Sequence, residues 1–530
     1  MTPRGQQDSG RPAGRRGGPR RDSQGRTRNR GQSGGPRQYS ATAPRERRRA
    51  ADPARLTAFE VLRAVSVDDA YANLVLPQRI AQHRLDQRDA GFATELTYGA
   101  LRGQGFYDAV LAECVDRPLA QLDRPVLDAL RLGAHQLLGM RVKAHAALDS
   151  TVALVRDQIG AGPSGLVNAV LRKVAAHDRE AWLDRVAPDD AGEAAQAIRH
   201  SHPQWIVRAL RQSLVAHGRS AEEITDLLEA DNAAPVLNLV ALPGLGDLDP
   251  VLAHGAQAGP LAPDSALFSG GDAGRIPGVR AGTVRVQDVG SQLTARALVA
   301  VDRGEEMEQV QESWLDLCAG PGGKAALLAA LAAQRGAHLV ANEVAAHRAR
   351  LVEQALSAVP QESWSIRTGD GRTIGADAEH GSSGGFHRIL VDAPCTGLGA
   401  LRRRPESRWR RQPSDLAPLT DLQRELLDSA VGVLAPGGVL AYVTCSPHPA
   451  ETVVQVQDLL RRHPRLELLD APDALVGIAP SLDRSTIAGP DVPGTAQLWP
   501  HLHATDAMFL ALFRARPTAT PAPADADQES

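Results

Sequence analysis

Cysteine is scarce in this chain: four residues, at 114, 318, 395 and 445, in a length of 530. They are too few and too scattered for a secreted disulfide framework or a four-thiolate zinc site, so no metal centre is expected. Any cysteine that works here is expected to work as a thiol. Lysine is scarcer still, with only Lys143, Lys173 and Lys324 among 59 basic residues. Arginine therefore supplies positive charge almost everywhere. Lys324 stands in the most glycine-rich motif of the C-terminal half, where a compact ammonium on a flexible stem differs from a rigid fork. Long apolar runs are also missing, and the opening residues MTPRGQQDSG carry no apolar signal region. The expectation is a soluble cytoplasmic protein with no membrane contact.

What is present divides unevenly. Residues 1–50 hold 14 arginines against Asp8, Asp22 and Glu46, a net +11 in a chain whose total is −3. The rest therefore carries −14. An Arg-, Gly- and Gln-rich arm of this kind buries too little apolar surface to fold alone and is drawn to polyanions, RNA and DNA alike. It reads as a disordered tail, as do residues 517–530. The length between them exceeds what one core organises, so two or three domains are expected.

Segments 54–65, 91–115, 122–140, 146–160 and 165–177 place apolar residues three and four apart. They predict an all-helical domain over 51–182, suited to binding rather than chemistry. SHPQWIVRALRQSL (201–214) predicts a helix and PVLNLVALPG (235–244) a strand. A small α/β adaptor is therefore expected over 190–284. From 285 to 516 strand and helix alternate: strands at 314–320, 338–344, 363–370, 387–395 and 437–446, helices at 324–334, 345–359 and 419–434. Polar residues cluster after each apolar run, as they do at the carboxyl ends of an open parallel sheet. A Rossmann-like α/β domain is expected.

Its first strand runs into DLCAGPGGK (316–324), with Cys318, Ala319, Gly320, Pro321, Gly322, Gly323 and Lys324 between strand and helix. Glycines allow close approach of a ligand to backbone, and the helix start offers unpaired N–H groups. The spacing matches neither GxGxxG nor GxxxxGK[ST], which disfavours dinucleotides and nucleoside triphosphates. Glu343 closes the second strand and can accept both ribose hydroxyls; Asp370, followed by Gly371, closes the third and can accept an adenine amino group. Arg348, on the next helix, is placed to orient Glu343. A nucleoside site without a phosphate site points to S-adenosyl-L-methionine.

The fourth and fifth strands end in VDAPCTGLG (391–399) and YVTCSPHPAE (442–451). If those strands are neighbours, Cys395 and Cys445 face one pocket. Two thiols suit methylation of cytosine at carbon 5, which becomes nucleophilic only after a thiolate adds at carbon 6. Asp392 suits the N3/N4 edge of the pyrimidine, and elimination needs a base. The residues alone leave open which cysteine attacks. A base buried in a stack cannot reach such a cleft, so single-stranded RNA or a flipped cytosine is the expected substrate. The run LRRRPESRWRR (401–411) is expected to contact backbone phosphate. Cys318 and Cys114 are expected to pack.

Together these motifs resemble the Sun/Fmu (RsmB) branch of the NOP2/Sun family of RNA cytosine-C5 methyltransferases. The resemblance covers roughly residues 50–515. It implies Cys445 as nucleophile, Cys395 as the residue assisting breakdown of the covalent adduct, and active-site roles for Asp392 and Lys324. FATELTYGALR (92–102), LRLGAHQLL (130–138) and LVNAVLRKV (166–174) resemble a NusB-like RNA-binding module, which implies 16S rRNA, at the position named cytosine 967, as substrate. RVQDVGSQL (285–293) resembles the entry to the catalytic domain. PHLHATDAMFLALFRA (500–515) resembles its closing motif, with Ala507 and Met508 as departures expected to concern packing. Gly320 stands where the family has Ala or Ser, and Glu343 where it commonly has Asp. The competing readings are the same chemistry on tRNA or 23S rRNA, a noncatalytic RNA-binding assembly factor, and a dehydrogenase. A monomer is expected.

Overall fold

The structure, a computed structural model, describes residues 51–188, 192–303, 311–376 and 384–516. The basic arm of 1–50 and the tail of 517–530 lie outside the described residues.

Eight helices come first: α1 (Pro53–Val67), α2 (Ala72–Gln82), α3 (Gln87–Arg102), α4 (Gln104–Cys114), α5 (Arg124–Leu138), α6 (Ala144–Gln158), α7 (Ser164–Val174) and α8 (Arg179–Val186). Their starts follow local chemistry. Asp52, Asp86 and Asp178 each accept a backbone N–H three residues on, and prolines occupy the first turns of α1 and α5. α5 is the pivot, packing against α1, α3, α4, α6 and α7. Its apolar stripe buries Ala129, Leu130 and Leu132 with Leu96, Phe106, Leu111 and Val170. Cys114 lies in this core, as expected of a packing residue.

Helices α9 (Glu193–Arg199), α10 (Gln204–Ala216) and α11 (Ile224–Asn232) lead into a four-stranded sheet of order β2-β3-β1-β4. The strands are β1 (Leu237–Ala241), β2 (Gln257–Ala258), β3 (Ser265–Phe268) and β4 (Val284–Val286), with α12 (Asp249–Ala253) and α13 (Pro277–Ala281) between them. The pattern in the sequence shows only β1. The other strands are two to four residues long, too short for alternation to register.

The third part carries α14 (Val289–Ala300), β5 (Ser313–Asp316), α15 (Gly323–Gln334), β6 (His338–Glu343), α16 (Ala346–Leu356), β7 (Trp364–Thr368), β8 (Phe386–Asp392), α17 (Ser407–Arg410), α18 (Leu416–Gly432), β9 (Leu434–Thr444), α19 (Val453–Arg462), β10 (Leu466–Leu469), α20 (Ala471–Ile478), β11 (Ala496–Gln497) and β12 (Phe509–Ala515). The sheet runs β10-β12-β9-β8-β5-β6-β7, with β11 on β12. β5 to β9 pair in parallel, whereas β12 enters antiparallel between β9 and β10. Apolar layers cover both faces, one built on α14 and α15, the other on α18 and α19. The strand order reverses at β5 and β8, and it is there that an open sheet leaves a crevice for ligands.

The arginine run at 401–411, expected to meet phosphate, is largely committed inside the protein. Arg408 is fully buried and donates to the carbonyls of Arg102, Ser201 and Asp231 and to Asn232 Oδ1. Arg402 donates to the Ala504 carbonyl, Arg403 to the buried Asp506, and Arg410 to the carbonyls of Val65 and Ala70. Arg404 and Arg410 also stack on the Tyr71 ring, 5.3 and 4.9 Å from its centroid. Glu406 accepts the Ala72 N–H at 3.0 Å. One loop after β8 thereby ties the helical part, α11 and the catalytic sheet together. Guanidinium, with five donors, can satisfy several carbonyls at once where an ammonium could not. Burial pushes the neighbouring Asp231 up to about 7, against the pull of Arg408 and Arg402.

Arg408→Ala leaves four acceptors and a buried acid without their cation and should lower stability by about 3–5 kcal/mol. Chemical denaturation would read this as a fall in midpoint, with a smaller fall for Arg408→Met, which keeps most of the volume.

Candidate active site

Register brings the reactive residues together. β8 and β9 are parallel with Asp392 opposite Val443, so their carboxyl ends emerge side by side. The Ala393 N–H donates to the Val443 carbonyl and the Gly399 N–H to the Cys445 carbonyl. A Cβ at Gly399 would lie 2.2 Å from the Ala507 carbonyl oxygen, so only glycine lets the loop after Cys395 close against both the Cys445 turn and the closing motif. Ala507 and Met508 are buried there, as packing residues. The result places Cys395 Sγ 3.5 Å from Cys445 Sγ, across 50 residues of chain.

Lys324, the first-turn residue of α15, enters the same space. Its ammonium donates to Asp392 Oδ2 and to Ser291 Oγ, both at 2.9 Å. Burial works to lower its pKa, but Asp392 outweighs it and the net displacement is upward, so Lys324 stays charged. Asp316, at the end of β5, is fully enclosed and pushed up to about 8, by burial first and by Asp392 second. It is therefore a largely neutral acid at pH 7, which spares the site a third buried charge.

The two thiols are held in different states. Cys445 is lowered chiefly by the hydrogen bond from Cys395; Lys324 and Arg404 add to this, while burial and Asp392 oppose it. Cys395 is raised well above an ordinary thiol by the same contact, by burial and by the acids Glu451 and Asp392. Cys318 lies off this pair, packed under the sheet and raised by burial and nearby acids. Its side chain packs, partly buried, against the core there.

On the other side of the β5 crevice, Glu343 is nearly enclosed. Its Oε2 accepts the Gly320 N–H at 3.1 Å and its Oε1 the Ala345 N–H at 3.0 Å. Arg348 sits 3.5 Å from Glu343 Oε2 and donates to the Gly320 carbonyl at 2.6 Å, so it does orient that acid. A Cβ at 320 would lie 2.2 Å from Glu343 Oε2. The two departures from the family pattern noted above thus form one unit, a longer acid occupying the space left by a smaller loop residue. A Cβ at Gly323 would meet nothing within 4 Å, so the start of α15 opens into free space. Asp370 lies at the end of β7, about one third exposed and paired with Arg372, whose hydrogen bonds hold it below the usual carboxylate range. Gly371 beside it is buried against Leu426 and Leu317.

Several residues of the site had no role assigned from the sequence. Ser291 holds Lys324 from α14, and Thr396, Gln423, Tyr442, Ser446 and Glu451 form a buried polar network behind the cysteines. Of these only Gln423 lies outside the motif segments, and the rest gain a role from their contacts across the fold.

A parallel sheet with an antiparallel strand ahead of the last, a glycine loop at the switch point and an acid closing the next strand define an S-adenosyl-L-methionine-dependent methyltransferase. The two-thiol pocket narrows that class. Residues 307–514 match the family model described as 16S rRNA methyltransferase RsmB/F, and residues 52–176 match the NusB family. The Mycobacterium tuberculosis (strain ATCC 25618 / H37Rv) protein Rv1407 is 47% identical over 466 residues, 87% of this chain and 96% of that protein. Ribosomal RNA small subunit methyltransferase B of Erwinia tasmaniensis is 32% identical over 435 residues, 79% of this chain and 92% of that one. The crystal structure of PH0851 shares the fold, with a TM-score of 0.71 at 20% identity over 88% of this chain and all of that one. The chain belongs to the RsmB/F family of rRNA cytosine-C5 methyltransferases, with a NusB-like domain ahead of the catalytic one. Among the described residues no helix is long and apolar enough to cross a membrane.

Because the thiolate is the reactive form, iodoacetamide should modify Cys445 before Cys395 or Cys318. Peptide mass spectrometry across a pH series should place the Cys445 labelling midpoint below that of a free thiol.

Proposed function

We propose that this enzyme methylates carbon 5 of a cytosine in 16S rRNA, at the position named cytosine 967, with Cys445 as nucleophile and Cys395 assisting release. The observation that carries this reading is the 3.5 Å approach of two thiols beside the Lys324–Asp392 pair. The rRNA target is supported by the family and by the relatives named small subunit methyltransferase B. We also propose that it acts as a monomer in the cytoplasm with its rRNA.

The chain's own residues would act in order. The loop from Cys318 to Lys324, with Ala319, Gly320, Pro321, Gly322 and Gly323, would cradle the cofactor against the open start of α15. Glu343, oriented by Arg348, would take the ribose hydroxyls; Asp370 and Gly371 would border the adenine. S-adenosyl-L-methionine supplies the methyl group. The target cytosine, single-stranded or flipped from its stack, would present its N3/N4 edge to Asp392, with Lys324 beside it balancing charge. Cys445 Sγ adds to carbon 6, and the Lys324 ammonium and the Cys395 S–H are the donors near the charge that develops. After methylation, loss of the carbon 5 proton to a base expels Cys445, and the departing sulfur receives the Cys395 hydrogen bond. Arg404, the exposed arginine of the run, and Arg411, whose side chain is 36% exposed, are the members of that run proposed for phosphate.

Cys445→Ala should abolish methyl transfer and any RNA–protein adduct, whereas Cys395→Ala should let a denaturant-resistant adduct accumulate on a denaturing gel. The opposite pattern would overturn the division of labour. Mapping methylated cytosines on 16S rRNA, assembled small subunits, 23S rRNA and tRNA decides the target: modification confined to tRNA or 23S rRNA would replace the 16S assignment, and RNA binding without transfer would replace catalysis. Gly320→Ala should displace Glu343 and weaken cofactor binding by calorimetry about tenfold, a difference of about 1.4 kcal/mol. Gly320→Ala combined with Glu343→Asp should restore much of it.

A further inference from the structure

We propose that the buried Glu451 carboxylate is the positioning residue that decides which of the two thiols carries the negative charge, keeping the proton on Cys395 and leaving Cys445 as the thiolate. This rests on the reading of Cys445 as nucleophile and explains why that sulfur, rather than its neighbour, has the role.

Glu451 closes the short turn after the Cys445 segment and is fully buried. Its bonds all run to the other cysteine's loop or to the support beneath it. Oε1 accepts the Thr396 N–H at 2.8 Å and Gln423 Nε2 at 3.2 Å, and Oε2 accepts the Thr396 hydroxyl at 2.5 Å. Gln423 Nε2 also donates to the Pro394 carbonyl at 2.8 Å. The residues on both sides of Cys395 are thus pinned by Glu451 or by its own partner. Thr396 Oγ1 lies 3.1 Å from Ser446 Oγ, the residue after Cys445, and the Tyr442 hydroxyl donates to the Glu451 carbonyl at 2.7 Å. Three donors thus converge on the one carboxylate.

Two sulfurs 3.5 Å apart in a buried pocket cannot both ionise, so surrounding charge decides which of them loses its proton first. The charges that bear on Cys395 are first Cys445 itself, then Glu451 and Asp392, both acids. Those that bear on Cys445 are Asp392, countered by Lys324 and Arg404, with Arg403 also interacting favourably with it. Arg411 approaches only the Cys395 carbonyl, at 3.5 Å. The remaining titratable neighbours of Glu451 are Tyr442, raised far beyond physiological pH by burial, and His448, lowered by burial; both are neutral at pH 7. Asp392 acts on both sulfurs, so it does not discriminate strongly. Glu451 hydrogen-bonds the residue after Cys395, whereas Lys324 and Arg404 bear on Cys445. The proton therefore stays on Cys395 Sγ and is donated toward Cys445 Sγ; no bond other than this hydrogen bond changes.

The test is competitive alkylation of the full chain with iodoacetamide, scored by peptide mass spectrometry as the Cys395:Cys445 labelling ratio over pH. Glu451→Gln removes the charge and keeps an acceptor for the Thr396 N–H. At neutral pH it should raise the ratio about tenfold, equivalent to a displacement of about one pH unit between the two midpoints. Thr396→Val removes the hydroxyl bond and leaves the charge, so it should keep the ratio within about twofold of wild type, a displacement of about 0.3 pH units. An unchanged ratio in Glu451→Gln overturns the proposal, as does a Thr396→Val change equal to that of Glu451→Gln, which would make loop geometry rather than charge the cause. Labelling of Cys395 ahead of Cys445 in the wild type would instead overturn the nucleophile assignment, whatever the variants do.

Discussion

Parallel pairing of β8 with β9 is the constraint on which the reactive centre depends, because it brings the ends of two strands 50 residues apart to one edge of the sheet. Everything around the sulfurs maintains that approach. Gly399 lets the first loop fold over the second, Thr396 and Ser446 join the residues after each cysteine, and Glu451 and Gln423 brace them from below. Hydrogen bonds buried in a low-dielectric layer are costly to break individually, so the loops are held as one piece. A thiol pair placed on flexible loops would spend little time at reactive distance.

The pocket also controls how much charge it buries. Lys324 and Asp392 form one neutral pair, Asp316 is held largely protonated, and the two thiols are pushed in opposite directions. Each added buried charge carries a desolvation cost that only a close partner offsets. Lysine suits this position because one compact ammonium can donate to Asp392 and Ser291 in a narrow space, where a planar fork would need more room.

Arginine does the opposite work at the junction. Arg408, Arg402 and Arg410 satisfy carbonyls from segments far apart in the chain, so the loop following the reactive strand also fixes the helical part beside it. A run of arginines in a loop reads as a phosphate contact when only local sequence is visible, since nothing local says which carbonyls lie across from it. The direct consequence is that RNA-binding elements and chemistry share one rigid connection. Movement of the helical part relative to the pocket would have to break several buried hydrogen bonds.

The sequence by itself determined the alternation of strand and helix over 285–516, the helical first part, the glycine loop with its closing acid, and the two cysteine motifs. Those features are local: they depend on periodicities of 2 and 3.6, on turn residues and on short spacings that each segment carries whole. The short strands of the adaptor sheet and the antiparallel β12 were not legible from periodicity, because a strand of a few residues, or one set by its neighbours, has no period of its own. Tertiary structure alone decided that Cys395 and Cys445 touch, that Ser291 and Glu451 belong to the site, that Gly320 makes room for Glu343, and that most of the arginine run faces inward. Each of these is a distance between residues remote in the chain. Such distances follow from strand order and side-chain packing, which no single segment encodes.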